Sequence, residues 1–199
     1  IILENIEKLK NHGVEILTPK FEENKAKLPD IDEIVHAVIR KLHVKDYQGK
    51  KVLVTAGPTI EKIDDVRFIT NNSSGLMGIK IAEEFEMRGA DVTLILGHTK
   101  LNSYVNTVSA ETFEEMYDAV ISNIDVDIAV FAAATSDFHV DNLCSGKISS
   151  DKPTSINLIP NKKIVNEFSK SSKAFIVGFK AEYSIPEEEL KKKAYDRLQ

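Results

Sequence analysis

This chain has a single cysteine, Cys144, and no tryptophan among its 199 residues. One thiol excludes an intramolecular disulfide framework and fits a reducing compartment, so a cytoplasmic protein is expected. No apolar run approaches the roughly 20 residues of a membrane-spanning helix. The opening Ile1-Ile2-Leu3 meets Glu4 and Glu7 too early to be a signal peptide, and no membrane partner is expected. Basic charge is not in excess either: 26 Lys and Arg stand against 31 Asp and Glu, a net charge of −5. That balance argues against a general nucleic-acid binder, which needs a concentrated basic surface. The nine glycines include no compact G-x-G-x-x-G turn and no G-K-[ST] phosphate loop. An oxidoreductase suggested by an α/β pattern alone therefore lacks its fingerprint. Five histidines show no metal-ligand spacing, and Cys144 has no base near it in sequence, which disfavours zinc sites and thiol catalysis.

What is present is an α/β pattern on 42% hydrophobic residues, enough for a sizeable core. Short apolar runs predict strands at 51–56, 91–96, 127–133 and 174–179, and a further strand is expected at 155–159. Amphipathic spacing predicts helices at 74–88, 112–123, 161–170 and 187–198. In the first of these, Ser73 or Ser74 is the expected cap, Met77, Ile81, Ala82 and Phe85 share a face, and Gly89 is the stop. Alternation of the two kinds predicts a mainly parallel sheet with helices on both faces, a Rossmann-like three-layer fold. Ligands of such sheets bind beyond the carboxyl ends of strands, so the loops after 56, 133 and 179 should converge.

Residues 1–48 read differently. A helix ending near Gly13, a short extended piece at Val14-Glu15-Ile16-Leu17 and a charged linker from Pro19 to Pro29 precede a second helix. That helix is opened by Asp30 as N-cap and carries Ile31, Ile34, Val35, Val38 and Leu42 on one side. These pieces do not close a core alone. The absent initiator methionine and the charged helical pattern at Glu187–Gln199 suggest a fragment of a longer polypeptide.

Three strand-end loops carry chemistry. The first runs Thr55-Ala56-Gly57-Pro58-Thr59 and continues through Asp64-Asp65-Val66-Arg67 and Asn71-Asn72-Ser73-Ser74-Gly75 into a helix, whose free N–H groups suit an anion. In the second, Ala133-Ala134-Thr135-Ser136-Asp137, small residues let a planar group approach the backbone, and Asp137 can accept from an amine or hold a metal-bound water. A turn-capping aspartate is the commoner role for such a residue. Gly146-Lys147-Ile148-Ser149-Ser150-Asp151-Lys152 follows, where a lysine can neutralise charge on a transferring phosphate or be simply solvated. The third loop is Gly178-Phe179-Lys180-Ala181-Glu182, with Lys193 and Arg197 four apart on the helix beyond it.

Taken together, Ala56-Gly57-Pro58-Thr59 and Ile63-Asp64-Asp65-Val66-Arg67-Phe68-Ile69-Thr70-Asn71-Asn72-Ser73-Ser74-Gly75-Leu76-Met77-Gly78 resemble the phosphopantothenoylcysteine synthetase domain of bifunctional coenzyme A biosynthesis flavoproteins. That family carries T-A-G-x-T, then I-D-x-V-R-x-I-[TS]-N-x-S-S-G-x-M-G. Ala132–Phe138 resembles its A-A-V-A-D-[FWY], Lys147 begins its K-I-K-K, and Gly178–Glu182 resembles G-F-A-A-E. Residues 49–199 would be this domain, truncated at its carboxyl end, and 1–48 the tail of the preceding decarboxylase domain with a linker. FMN would belong only to the absent flavin-binding body of that decarboxylase.

The resemblance implies a homodimeric ligase acting on 4′-phosphopantothenate, cysteine and CTP with Mg²⁺. The phosphopantothenate carboxylate becomes an acyl-cytidylate, which the cysteine amine then attacks. It implies Lys147, Asn71 and Arg67 as catalytic residues, Lys147 at the α-phosphate and Asn71 on the acyl-nucleotide. Gly57, Ser74, Gly75, Ala133, Ala134, Asp137, Lys162, Lys163, Ile164, Val165, Phe179, Lys193 and Arg197 would contact the nucleotide. Two departures stand out: Lys147-Ile148-Ser149-Ser150 keeps only the first lysine of its motif, and Asn161-Lys162-Lys163-Ile164-Val165 replaces N-P-D-I-[VL]. The second leaves ATP as an alternative nucleotide, and the truncated carboxyl end leaves an inactive nucleotide-binding or assembly module as the alternative function.

Overall fold

The computed structural model describes residues 2–22, 25–182 and 184–196. In chain order the elements are α1 (Ile2–Asn11), β1 (Lys20–Glu22), β2 (Lys25–Lys27), α2 (Ile31–Leu42), β3 (Lys51–Ala56), β4 (Ile60–Lys62), β5 (Phe68–Thr70), α3 (Leu76–Met87) and β6 (Asp91–Leu96). They continue with β7 (Thr107–Ser109), α4 (Phe113–Ile121), β8 (Ile128–Phe131), β9 (Phe138–Val140), β10 (Leu158–Pro160), α5 (Ile164–Ser171), β11 (Phe175–Gly178) and α6 (Glu187–Tyr195).

Five strands form one parallel sheet in the order β11-β8-β3-β6-β7. β3 is central, so its alternate residues must be apolar on both faces. Val52, Val54 and Ala56 pack on one face with Ile79 and Ala82 of α3, and with Val92, Leu94 and Val130. Leu53 faces the other way, into a cluster with Met116 and Val120 of α4 and Ile164 and Phe168 of α5. This is the three-layer α/β fold that the sequence pattern predicts. The start of α4 is fixed by a capping box, in which Thr112 Oγ1 accepts from Glu115 N (3.3 Å) and Glu115 Oε2 accepts from Thr112 N (3.1 Å).

Several expectations are corrected. Residues 155–159 supply no strand to the main sheet; the ladder there is Leu158–Pro160, antiparallel to Phe138–Val140. A three-residue strand ending in proline cannot donate along a central ladder and suits a two-stranded flap. The short antiparallel pair β4–β5 and the edge strand β7 escape sequence reading, because three residues show no period. The cap position of α3 is Gly75, at φ 78°, rather than Ser73 or Ser74, although their hydroxyls accept from Gly75 N and Leu76 N (both 3.3 Å) at the helix start. Met77 is half exposed, while Gly78, Ile79, Ala82 and Glu83 form the buried face. Helix α5 starts at Ile164, with Lys163 at its cap, not at 161.

The linker from Pro19 to Pro29 contains the small hairpin β1–β2. Asp30 occupies the cap position of α2 but turns its carboxylate to Lys20 (3.1 Å) instead of capping. No residue of α1 or α2 is buried, in keeping with pieces that make no core of their own. Among the described residues, no helix is long and apolar enough to cross a membrane.

Candidate active site at the carboxyl end of the sheet

The strand order reverses at β3, since the chain leaves it towards β6 on one side and returns at β8 on the other. In open α/β sheets the crevice at such a switch point takes the ligand. Here the loops after β3 and β8 extend the sheet past its end through a bridge between Pro58 and Ala134. Ala134 N donates to Gly57 O (3.0 Å), and Thr59 N donates to Ala134 O (3.3 Å). Thr59, fully buried, accepts at Oγ1 from Ser136 N (2.8 Å) and at its carbonyl from Thr70 Oγ1 (2.8 Å). Asn71 Nδ2 donates to Ala134 O (2.9 Å) and Thr135 O (3.3 Å), joining the entry to α3 to the β8 loop.

Helix α3 starts on this floor. A Cβ on Gly75 would lie 2.8 Å from the Cα and N of Gly57, and one on Gly78 would lie 2.6 Å from the Ala56 Cβ. Glycine at both positions lets the helix amino terminus touch the end of β3 and brings its first turn to the crevice, where Gly75 N donates to Ser73 Oγ and Leu76 N to Ser74 Oγ (both 3.3 Å). Ser74 lies exposed at this mouth, its carbonyl accepting from Thr99 Oγ1 (2.8 Å).

A turn between β4 and β5 forms the neighbouring wall. Asp64, buried to 3% exposure, accepts at Oδ1 from Val66 N (2.9 Å) and Arg67 N (2.7 Å). Its Oδ2 accepts from Arg67 Nε (3.0 Å) and Ile148 N (3.1 Å). The Arg67 guanidinium, helped by these backbone N–H groups, holds the Asp64 carboxyl well below the usual carboxylate range against the opposing effect of burial. Arg67 Nη2 also donates to Ile148 O (2.8 Å). Lys147 thus sits in a loop docked on this turn, with its side chain exposed.

On the far side, Asp137 is exposed and its Oδ1 accepts from Lys163 Nζ (2.5 Å). Asn161 braces the loop by donating from Nδ2 to Ser136 O (3.1 Å) and from its backbone to Asp137 O (2.8 Å). Lys162 is exposed, Ile164 is core and Val165 is half-buried. The β11 loop is less engaged: Phe179 is 49% exposed, and neither it nor its neighbours hydrogen-bond the other two loops among the described residues. Lys193 lies 3.6 Å from Glu182 and 3.5 Å from Glu189, and Arg197 lies outside the described residues. Two of the three loops are therefore brought together by direct bonds.

Sequence reading missed Thr59, Thr70, Asn161 and the docking role of Asp64 and Asp65. Only Asp64 left a local signal, an aspartate two and three residues before the N–H groups it accepts. Among the described residues no cluster of three or more His, Cys, Asp or Glu could hold a metal ion. A cavity of about 330 Å³ lined by Asp30, Glu33, Lys80, Glu83 and Tyr104 lies elsewhere and includes none of the loop residues above.

Behind the site, Glu61 of β4 has a buried Oε1 with no hydrogen-bond partner. Burial first, then the charge of Glu114, pushes its carboxyl up, with His139 opposing. A raised carboxyl pKa means stability is fully present below the ordinary glutamate range and declines as pH rises through the folded value. Glu61→Gln is accordingly expected to raise the melting temperature by about 2 °C at pH 8 and not at pH 4, measured by thermal unfolding.

The model of the DNA/pantothenate metabolism flavoprotein C-terminal domain matches residues 47–199. Over 195 residues the chain is 52% identical to a coenzyme A biosynthesis bifunctional protein CoaBC of Thermococcus kodakarensis, covering 96% of this chain and 48% of that protein. The protein of that name in Methanocaldococcus jannaschii is 39% identical over 203 residues, 99% of this chain and 50% of that one. The chain thus spans about half the length of the curated relatives it matches. A crystal structure of the C-terminal domain of a CoaBC protein superposes with a TM-score of 0.66 at 37% identity, covering 77% of this chain and 76% of that one.

Proposed function

The chain belongs to the DNA/pantothenate metabolism flavoprotein C-terminal domain family, and from that premise we propose that it is the phosphopantothenate–cysteine ligase part of a bifunctional coenzyme A biosynthesis enzyme. Its relatives are named for coenzyme A biosynthesis. The observation that carries the reading is the joined floor of the β3 and β8 loops under the amino terminus of α3, with a lysine loop docked beside it.

A free carboxylate is a poor acyl donor, so it is activated first. The phosphopantothenate carboxylate oxygen attacks the α-phosphorus of CTP, the bond to the β-phosphate breaks and pyrophosphate leaves. Negative charge gathers on the phosphate oxygens, where cations and fixed N–H groups lower the barrier. Lys147 is the cation supplied by this chain, and the α3 amino terminus at Ser74 and Gly75, above Gly57, supplies the N–H groups. Magnesium enters with the triphosphate as part of the substrate.

The base lies against the small side chains of Ala133 and Ala134, and the second oxygen of Asp137 accepts from its exocyclic amine, while Lys163 holds the first. In the second half-reaction the cysteine amine attacks the acyl carbonyl, the carbon–oxygen bond to phosphate breaks and CMP leaves. Asn71 holds the acyl-nucleotide for this attack. ATP is the second reading of the nucleotide, favoured by Lys162 and Lys163 standing in the segment that departs from the family pattern.

The test measures pyrophosphate release from CTP or ATP with 4′-phosphopantothenate and Mg²⁺, without and then with cysteine, in the full-length protein. Release with neither nucleotide would sink the ligase reading and leave a nucleotide-binding module. In the same assay, Asn71→Asp is expected to keep pyrophosphate release within about fivefold while amide formation falls on the order of 100-fold. Equal loss of both steps would instead assign Asn71 to holding Ala134 and Thr135 in place.

A further inference from the structure

Residues 141–157, between β9 and β10, contain neither helix nor strand. A long loop of this kind carries no ladder to fix it, and its conformation must come from outside. Among the described residues, only the two flanking Lys147 are fixed across the chain by hydrogen bonds, and each is fixed at both of its backbone groups. Gly146 N donates to Asp65 Oδ2 (2.7 Å), and Asp65 N donates back to Gly146 O (3.3 Å). Ile148 N donates to Asp64 Oδ2 (3.1 Å), and Ile148 O accepts from Arg67 Nη2 (2.8 Å). The left-handed φ of 79° at Gly146 lets the chain turn between these anchors, with nothing within 4 Å of the place a Cβ would occupy.

We propose that Asp64 and Asp65 are positioning residues, acting with the Arg67 guanidinium as a clamp that sets the reach of Lys147 towards the reacting phosphate. The proposal rests on the assignment of Lys147 to the activation step. Hydrogen bonds to a carboxylate are stronger than neutral ones, so two aspartates hold a loop that neutral turn residues would leave loose. Because the Asp64 carboxyl is held below its usual range, it stays ionised at any working pH. Misplacing a reacting group by about 1 Å can cost on the order of 100-fold in rate, which makes the clamp a kinetic device and not only a structural one.

Asp65 is exposed, so its substitution leaves the core untouched. In the full-length enzyme, Asp65→Ala is expected to speed amide hydrogen exchange at Gly146 and to lower kcat for pyrophosphate release on the order of tenfold, with the nucleotide KM within about twofold. Asp65→Glu, which keeps the acceptor, should recover most of the rate. In a Lys147→Gln background, Asp65→Ala should cause no further loss, because a residue acting only through Lys147 has nothing left to position. Unchanged exchange at Gly146, or an additive loss in the double variant, would overturn the clamp. An unimpaired Asp65→Ala beside a crippled Lys147→Gln overturns the clamp alone, whereas full activity of Lys147→Gln overturns the underlying assignment and the clamp's kinetic role with it.

Discussion

Pyrophosphate release is expected to fall by on the order of 100- to 1000-fold when Lys147 is replaced by glutamine, with binding of the nucleotide weakened far less. A cation aimed at charge appearing only in the transition state raises kcat, whereas one that merely holds the ground-state triphosphate changes KM. Lys147 lies exposed in a clamped segment and makes no ion pair among the described residues, unlike Lys163 and Lys193. Lys152 lies in the same loop without a comparable backbone anchor among the described residues, and it is not expected to substitute. Single-turnover measurement of pyrophosphate without cysteine isolates the step. Loss confined to KM would move Lys147 from the reacting phosphate to simple charge attraction.

Gly75→Ala is expected to give the largest change in stability. Alanine at φ 78° costs about 1–2 kcal/mol, and its Cβ would press within 2.8 Å of the Gly57 backbone, adding about 1–3 kcal/mol. Together these lower the melting temperature by about 10 °C for a domain of this size. Relief requires α3 to lift from the end of β3, which also withdraws its amino terminus from the crevice. Nucleotide binding should therefore fall in parallel, as read by calorimetry with CTP at a temperature where the variant remains folded. Wild-type melting behaviour would show that the helix tolerates the lift and that close approach is not needed.

The long elements were legible because their periods are long enough to read. β3, with apolar residues from Val52 to Val54, was legible as a strand buried on both faces of a parallel sheet, and the helices after it follow from amphipathic spacing. The motif from Asp64 to Gly78 was legible as a unit, but the task of each residue was not. Asn71 and Thr59 turned out to hold the β8 loop, a contact across more than sixty positions of sequence that no local rule encodes. The cap of α3 was misplaced by one or two residues because a left-handed glycine follows two serines in Ser73-Ser74-Gly75. Residues 155–159 read as one more strand of the sheet because a segment that short, Ser155-Ile156-Asn157-Leu158-Ile159, does not name its pairing partner.

The sequence by itself determined the family, the α/β layering and the set of polar groups available for chemistry, since each of these depends on composition and local pattern. Tertiary structure alone decided which groups meet: the bridge from Pro58 to Ala134, the contact of Gly75 with Gly57, and the grip of Asp64 and Asp65 on the residues either side of Lys147. Those pairings join segments up to 84 positions apart, and they exist only because packing β3 between β6 and β8 brings the loops to one end of the sheet.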